Sequence, residues 1–207
     1  PVEAITVVGN TAYLANGLGG LLVMDVSDPT QPVIIGSVDT PGGAWGVTVV
    51  GNTVYVAGGY SGLQVIDVSD PTQPAIIGSV DTPGYARGVT VVGDTAYVAD
   101  GSSGLQVIDV SDPTQLVIIG SVDTPSYAED ITVVGVTAYI ADRASGLQVI
   151  DVSDPTQPVI IGSVDTPGSA DDVTVVDNTA YVADWNSGLQ VIDVSDPTQP
   201  VIIKSVD

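Results

Sequence analysis

The dipeptide Val-Asp recurs at Val38, Val80, Val122, Val164 and Val206, a constant spacing of 42 residues. Within that frame SGLQVIDVSDPTQ repeats at Ser61, Ser103, Ser145 and Ser187, and the first copy reads GGLLVMDVSDPTQ. Five copies fill the chain from Pro1 to Asp207. This periodicity constrains the fold more than any single motif. Each unit must be one small supersecondary structure that buries its apolar surface by stacking on its neighbours.

Each copy predicts four short strands. In the second, Gly46–Val50 and Thr53–Ala57 are β-rich runs flanking Gly51-Asn52, a pair suited to a two-residue primed hairpin turn. A third strand is expected over Gly62–Ser69, stopped by the turn signature Asp70-Pro71. A fourth follows over Ala75–Asp81. No segment carries a helical period, so the chain reads as all-β.

A four-stranded sheet of this size cannot bury enough surface to be stable alone. Its strands are apolar on both faces: in LQVIDV, Leu63 and Val65 point one way, Ile66 and Val68 the other. Radial packing into a ring gives every sheet a neighbour on each side. The expected fold is a single-domain, five-bladed β-propeller with four antiparallel strands per blade. Its blades fall at about residues 1–41, 42–83, 84–125, 126–167 and 168–207. No blade draws strands from both termini, so closure is expected to rest on side-chain packing between the first and last blades.

The segment LQVIDVSDPTQP following TAYVAD resembles the LVIVD-repeat propellers of bacterial and archaeal surface proteins, over essentially the whole chain. That resemblance implies a β-propeller and an extracellular or cell-surface address. It brings no catalytic residues with it.

Composition narrows the chemistry. The chain has no cysteine and no histidine, which removes disulfides, thiolate or imidazole metal sites and histidine-based triads. General acid–base work would fall to Asp, Glu, Tyr or Lys204. The net charge of −22 leaves only Arg87, Arg143 and Lys204 as cations, so phosphate backbones and anionic lipid heads are repelled. Nucleic acid is therefore excluded as a partner. No apolar run reaches the roughly 20 residues of a membrane span, which excludes insertion. The start at Pro1 suggests a trimmed chain.

The copies disagree at two connections. The fourth-to-first link reads PGGAWG, PGYARG, PSYAED and PGSADD, with PVEA as its counterpart at the N-terminus. The second-to-third link reads NGLG, GGYS, DGSS, DRAS and DWNS. In an up-and-down sheet both links lie on one rim, and the nearly constant hairpin and SDPTQ turns lie on the other. Around the axis the variable rim should present Glu3, Trp45, Arg87, Glu129 with Asp130, and Asp171 with Asp172. The carboxylates of repeats four, five and one are expected opposite Trp45 and Arg87. Tyr85 and Tyr127 precede Arg87 and Glu129 by two residues, and Tyr60 and Trp185 stand further out.

Aromatic platforms beside carboxylates suit sugars or cations. The leading expectation is a non-catalytic binding module, a monomer, whose variable face takes a carbohydrate or protein ligand. No cofactor is required, and weak, optional Ca²⁺ at the acidic sector is the one metal considered. The alternatives are a purely structural repeat scaffold, in which the rim has simply drifted, and a glycoside hydrolase using Glu129, Asp130 and Asp172. The repeated Asp67, Asp70 and Asp81 are read as turn and strand-end residues, and Tyr13, Tyr55, Tyr97, Tyr139 and Tyr181 as blade packing.

Overall fold

Valine, isoleucine and threonine fill the strand runs, and β-branched side chains pack well on a pleated surface. The computed structural model, which describes residues 1–207, has twenty strands, four per repeat, and one short 3-10 turn at Trp185–Ser187. In repeat two the strands are Gly46–Val50, Thr53–Ala57, Leu63–Asp67 and Ala75–Val80. Each repeat forms its own antiparallel sheet in sequence order, and no sheet borrows a strand from elsewhere in the chain. The third strand is shorter than expected. Gly62 turns to φ +63° at its start, and at its end Ser69 N–H donates to the Asp67 carboxylate at 2.9 Å. No helix is long and apolar enough to cross a membrane.

The first two strands close through the expected hairpin, with Val50 paired to Thr53 across Gly51-Asn52. Gly51 has φ +60° and Asn52 has none of the left-handed geometry, as a II′ turn requires. In repeat five the same corner is made by Asp177 at φ +53°.

The SDPT turns are built by their aspartates. Asp70 accepts from Thr72 N–H at 3.0 Å and from its hydroxyl at 2.6 Å. Asp28, Asp112, Asp154 and Asp196 repeat both bonds, and these bonds hold all five carboxyls below the usual range. Each fourth strand also carries a bulge. In repeat two the register slips between Val65 and Ile66, from Gly78 to Ile76. Such a bulge twists the outer edge away from pairing with another molecule.

The sheets stand radially, propeller-like, with the first strands of successive repeats side by side. The core lies in the seams between sheets, as four clusters of ten buried residues each. In the seam of repeats two and three, Tyr55, Ala57, Leu63 and Val65 meet Val89, Val98 and Ile108. Fully burying one such aliphatic side chain is worth about 1.5–3 kcal/mol. Tyr13, Tyr55, Tyr97 and Tyr139 pack as expected, at 6–7% exposure.

Repeats one and five share no such cluster. Tyr181 is 37% exposed and Ile5 59%. The expected sealing of the ring by side-chain packing between first and last blades is not formed. A local obstacle is visible in sequence: Lys204 stands where the other four repeats have a glycine in the seam.

Candidate functional site

The variable rim hangs on an alanine shared by repeats two to five, where repeat one has Val2. Ala44, Ala86, Ala128 and Ala170 are fully buried, and each pairs with the second-to-third loop of the preceding repeat. Gly59 N–H donates to the Ala86 carbonyl at 3.1 Å and Ala86 N–H returns a bond to Gly59 at 3.0 Å. The two variable links are thereby stitched onto one rim, as the strand count predicted. Asp100, Asp142 and Asp184, all fully buried, add a clasp. Asp100 accepts from the Thr82 hydroxyl at 2.5 Å and from Gly84 N–H at 2.8 Å. Burial pushes the Asp100 and Asp142 carboxyls up, against the pull of these bonds.

With the alanine fixed, its neighbours project toward the axis and all five repeats meet in one cavity of about 410 Å³. Glu3 comes from repeat one, Trp45 from two, and Arg87 from three. Glu129 and Asp130 come from repeat four, Asp171 and Asp172 from five. The other four aromatic residues flank it. Tyr85 lies 5.6 Å from Trp45 and 4.6 Å from Tyr60, ring centre to ring centre, and Tyr60 is 80% exposed. Tyr127 sits beneath two guanidiniums. Trp185, 75% exposed, lines a second cavity of about 230 Å³ with Arg143, Ser169 and Asp171.

The arginines organise this surface. The Arg87 guanidinium lies 4.8 Å from the Tyr85 ring, 5.2 Å from Trp45 and 5.9 Å from Tyr127. The Arg143 guanidinium lies 4.7 Å from the Tyr127 ring. Glu129, its side chain 9% exposed, joins both: Arg87 Nε is 3.5 Å from Oε2, and Arg143 Nε pairs with Oε1. Glu129 therefore does not stand opposite Arg87, as expected from the sequence, but is bound to it. The unneutralised acids are those of repeats one and five, with Asp130 between.

Asp130 is the most perturbed group. Burial, then the charge of Asp172, push its carboxyl up to about 7, although Val173 N–H donates to it at 3.2 Å. Room for it exists because Gly88 has no side chain: a β-carbon there would lie 2.7 Å from Asp130 Oδ1. No three carboxylates converge on a point where a metal ion would sit.

The LVIVD-repeat family model matches five times, at residues 2–40, 41–82, 83–124, 125–166 and 167–207. The chain belongs to the LVIVD-repeat family. No curated protein was found to match its sequence. Among solved structures it resembles a functionally unknown protein from Desulfotomaculum acetoxidans DSM 771. The TM-score is 0.76 at 13% identity, over 99% of this chain and 69% of that one. It also resembles the computationally designed Ika8 protein, at TM-score 0.74 and 10% identity, over 94% of this chain. The chain spans 59% of the designed protein's length. At such identities the likeness is one of fold.

Each LVIVD repeat thus contributes between one and three side chains to a shared axial cavity. Arg143 was not singled out from sequence, and two signals pointed to it. It is one of three cations in a strongly acidic chain, and it lies in a variable loop. Its backbone adds a third: Gly17, Gly59 and Gly101 have φ of 52–59° at this loop position, where repeats four and five place Arg143 at φ 40° and Trp185 at φ 41°. A non-glycine residue held there carries strain of order 1 kcal/mol.

Proposed function

We propose that this five-bladed propeller is a non-catalytic binding module whose variable face takes a carbohydrate. The observation that carries the reading is the axial cavity to which every LVIVD repeat contributes. Its walls hold carboxylates that accept from sugar hydroxyls and guanidiniums that donate to them, and Trp45 supplies an aromatic wall. The second cavity shares Arg143 and Asp171 with the first and adds the exposed ring of Trp185. The ligand is accordingly an oligosaccharide of two or more units, one at the axis and one over Trp185. Neutral or amino sugars fit best, because the chain's net charge of −22 disfavours anionic glycans. No cofactor is needed, calcium at the acidic sector is at most an accessory, and the setting is extracellular or at the cell surface.

The test is a glycan array in calcium-containing buffer with the wild type, a Trp45→Ala/Tyr85→Ala/Tyr127→Ala variant and Trp185→Ala. The reading expects a hit that falls at least about tenfold in the triple variant. It also expects Trp185→Ala to weaken longer glycans while sparing the monosaccharide. Binding that survives the triple change places the site elsewhere, and silence on the array favours a protein ligand or a purely structural scaffold. One observation favours a second reading, glycoside hydrolysis: a carboxyl raised to about 7 at Asp130 beside the acid Asp172 is the pattern of an acid and its partner. Glycosidase activity lost in both Asp130→Asn and Asp172→Asn would establish it.

A further inference from the structure

Every internal seam joins the same two faces. The leading face of repeat two offers Tyr55, Ala57, Leu63 and Val65, and the trailing face of repeat three covers them. Repeat five carries the same leading set in Tyr181, Ala183, Leu189 and Val191. There Tyr181 is 37% exposed and Leu189 38%, where Tyr55 is 7% and Leu63 0%. Repeat one carries the trailing set in Ile5, Leu14 and Met24, in place of Val47, Val56 and Ile66. Ile5 is 59% exposed, against 1–8% for Val47, Val89, Ile131 and Val173. The polar part of the seam is waiting too. Thr6, Thr90 and Thr132 donate their hydroxyls to the Val47, Ile131 and Val173 carbonyls of the next repeat at 2.8–3.0 Å, while Thr174 is exposed.

We propose that these two faces are the halves of a fifth seam formed between two copies of this chain. The leading face of repeat five in one copy packs on the trailing face of repeat one in the other. Continuity with the four internal seams identifies the occupant, because Ile5, 59% exposed on repeat one, stands where Val47, Val89, Ile131 and Val173 cover a leading face elsewhere, with Leu14 and Met24 beside it where Val56 and Ile66 stand. The contact is heterologous, so a dimer joined this way keeps one free face at each end and can add further copies.

Lys204 limits its strength. A β-carbon on Gly36, Gly78, Gly120 or Gly162 would lie 2.0–2.3 Å from the carbonyl oxygen of Pro71, Pro113, Pro155 or Pro197 in the next repeat's turn. Repeat five has Lys204 at that place, and repeat one brings the same turn as Asp28-Pro29-Thr30. Pro29 must therefore sit further out than its internal counterparts, which makes the contact weaker than an internal seam. The charge of −22 on each copy opposes it further, and salt screens that repulsion.

Sedimentation velocity over a concentration series at about 0.5 M salt, where the Debye length is only a few Å, reads the association directly. The wild type is expected to form species larger than monomer as concentration rises, and Lys204→Gly to do so at about tenfold lower concentration. Tyr181→Asp and Ile5→Asp, both at exposed positions, are each expected to stay monomeric with an unchanged melting curve. An equimolar mixture of these two variants is expected to yield a dimer and nothing larger, because each retains the face that the other has lost. Wild type and Lys204→Gly that both remain monomeric, or a mixture that gives no dimer, would overturn the proposal.

Discussion

The two rims of the molecule have been treated differently, and the seams explain why. On the quiet rim each SDPT turn of repeats two to five does two jobs. Its aspartate closes the turn, and its proline carbonyl packs on the seam glycine of the preceding repeat. A change in either is felt by two repeats at once. On the rewritten rim the alanine that packs is the same in repeats two to five, while the residues beside it change from Trp45 to Arg87, Glu129 and Asp171. Among repeats two to five the variation therefore falls beside the packed alanine and at the clasp, where Gly58 stands in place of Asp100, Asp142 and Asp184.

The sharpest way to break this comparison is a small change at the quiet rim. Gly78→Ala places a β-carbon 2.0 Å from the Pro113 carbonyl oxygen, a backbone atom that moves only with its turn. The expected cost is about 3 kcal/mol or more, read as a lower urea midpoint. Ligand binding in the surviving folded fraction should be unaffected. A midpoint within experimental scatter of wild type would mean that the seams tolerate loosening, and that the constancy of the turn has another cause.

At the rewritten rim the corresponding change runs the other way. Asp130 is raised to about 7 in the folded chain from an ordinary value near 3.8. Between those limits the folded state holds a proton that the unfolded state has lost. Its contribution is therefore fully present below about pH 4 and is lost as pH rises through 7. Asp130→Asn removes that loss and is expected to stabilise the protein at pH 7.5 by about 1–2 kcal/mol, with solvent screening keeping the gain below the full shift. For a chain of this length that is a rise in Tm of roughly 2–8 °C. At pH 4 the variant and wild type should melt together. Equal Tm values at both pH values would show that Asp130 is solvated and unperturbed.

Much of the fold was legible because it is local. The hairpin corner follows from Gly51, the turn from Asp70 and Pro71, and the period from counting. The parts that were not legible depend on residues one repeat away. Glu129 reaches Arg87 in the preceding repeat as well as Arg143 in its own, and Asp130 fits only because Gly88, 42 residues earlier, is bare. Lys204 reads as a harmless surface substitution until the turn that packs on its four glycine counterparts is placed in space. A ring closed by symmetry was the natural expectation from five equal repeats, and one unequal residue lies in the way.

The smallest expected effect lies at the hairpin corner and separates constancy that matters from constancy that is inherited. Gly9, Gly51, Gly93 and Gly135 all hold φ of 58–62°, and a β-carbon on any of them would meet nothing within 4 Å. Packing therefore places no demand on the residue here; only backbone geometry does. Asp177 satisfies that geometry at φ +53° with an L side chain, a position that aspartate tolerates better than most residues but less well than glycine. Asp177→Gly should relieve the strain and lose part of the gain to the greater freedom of an unfolded glycine, a net stabilisation of about 0.5 kcal/mol. The reverse change, Gly51→Asp, should cost about as much. Differential scanning calorimetry of the pair resolves both, each a shift in Tm of roughly 1–2 °C. If Gly51→Asp cost several times more than Asp177→Gly gained, the corner of repeat two would be doing something beyond turning the chain. The quiet rim would then hold a function of its own.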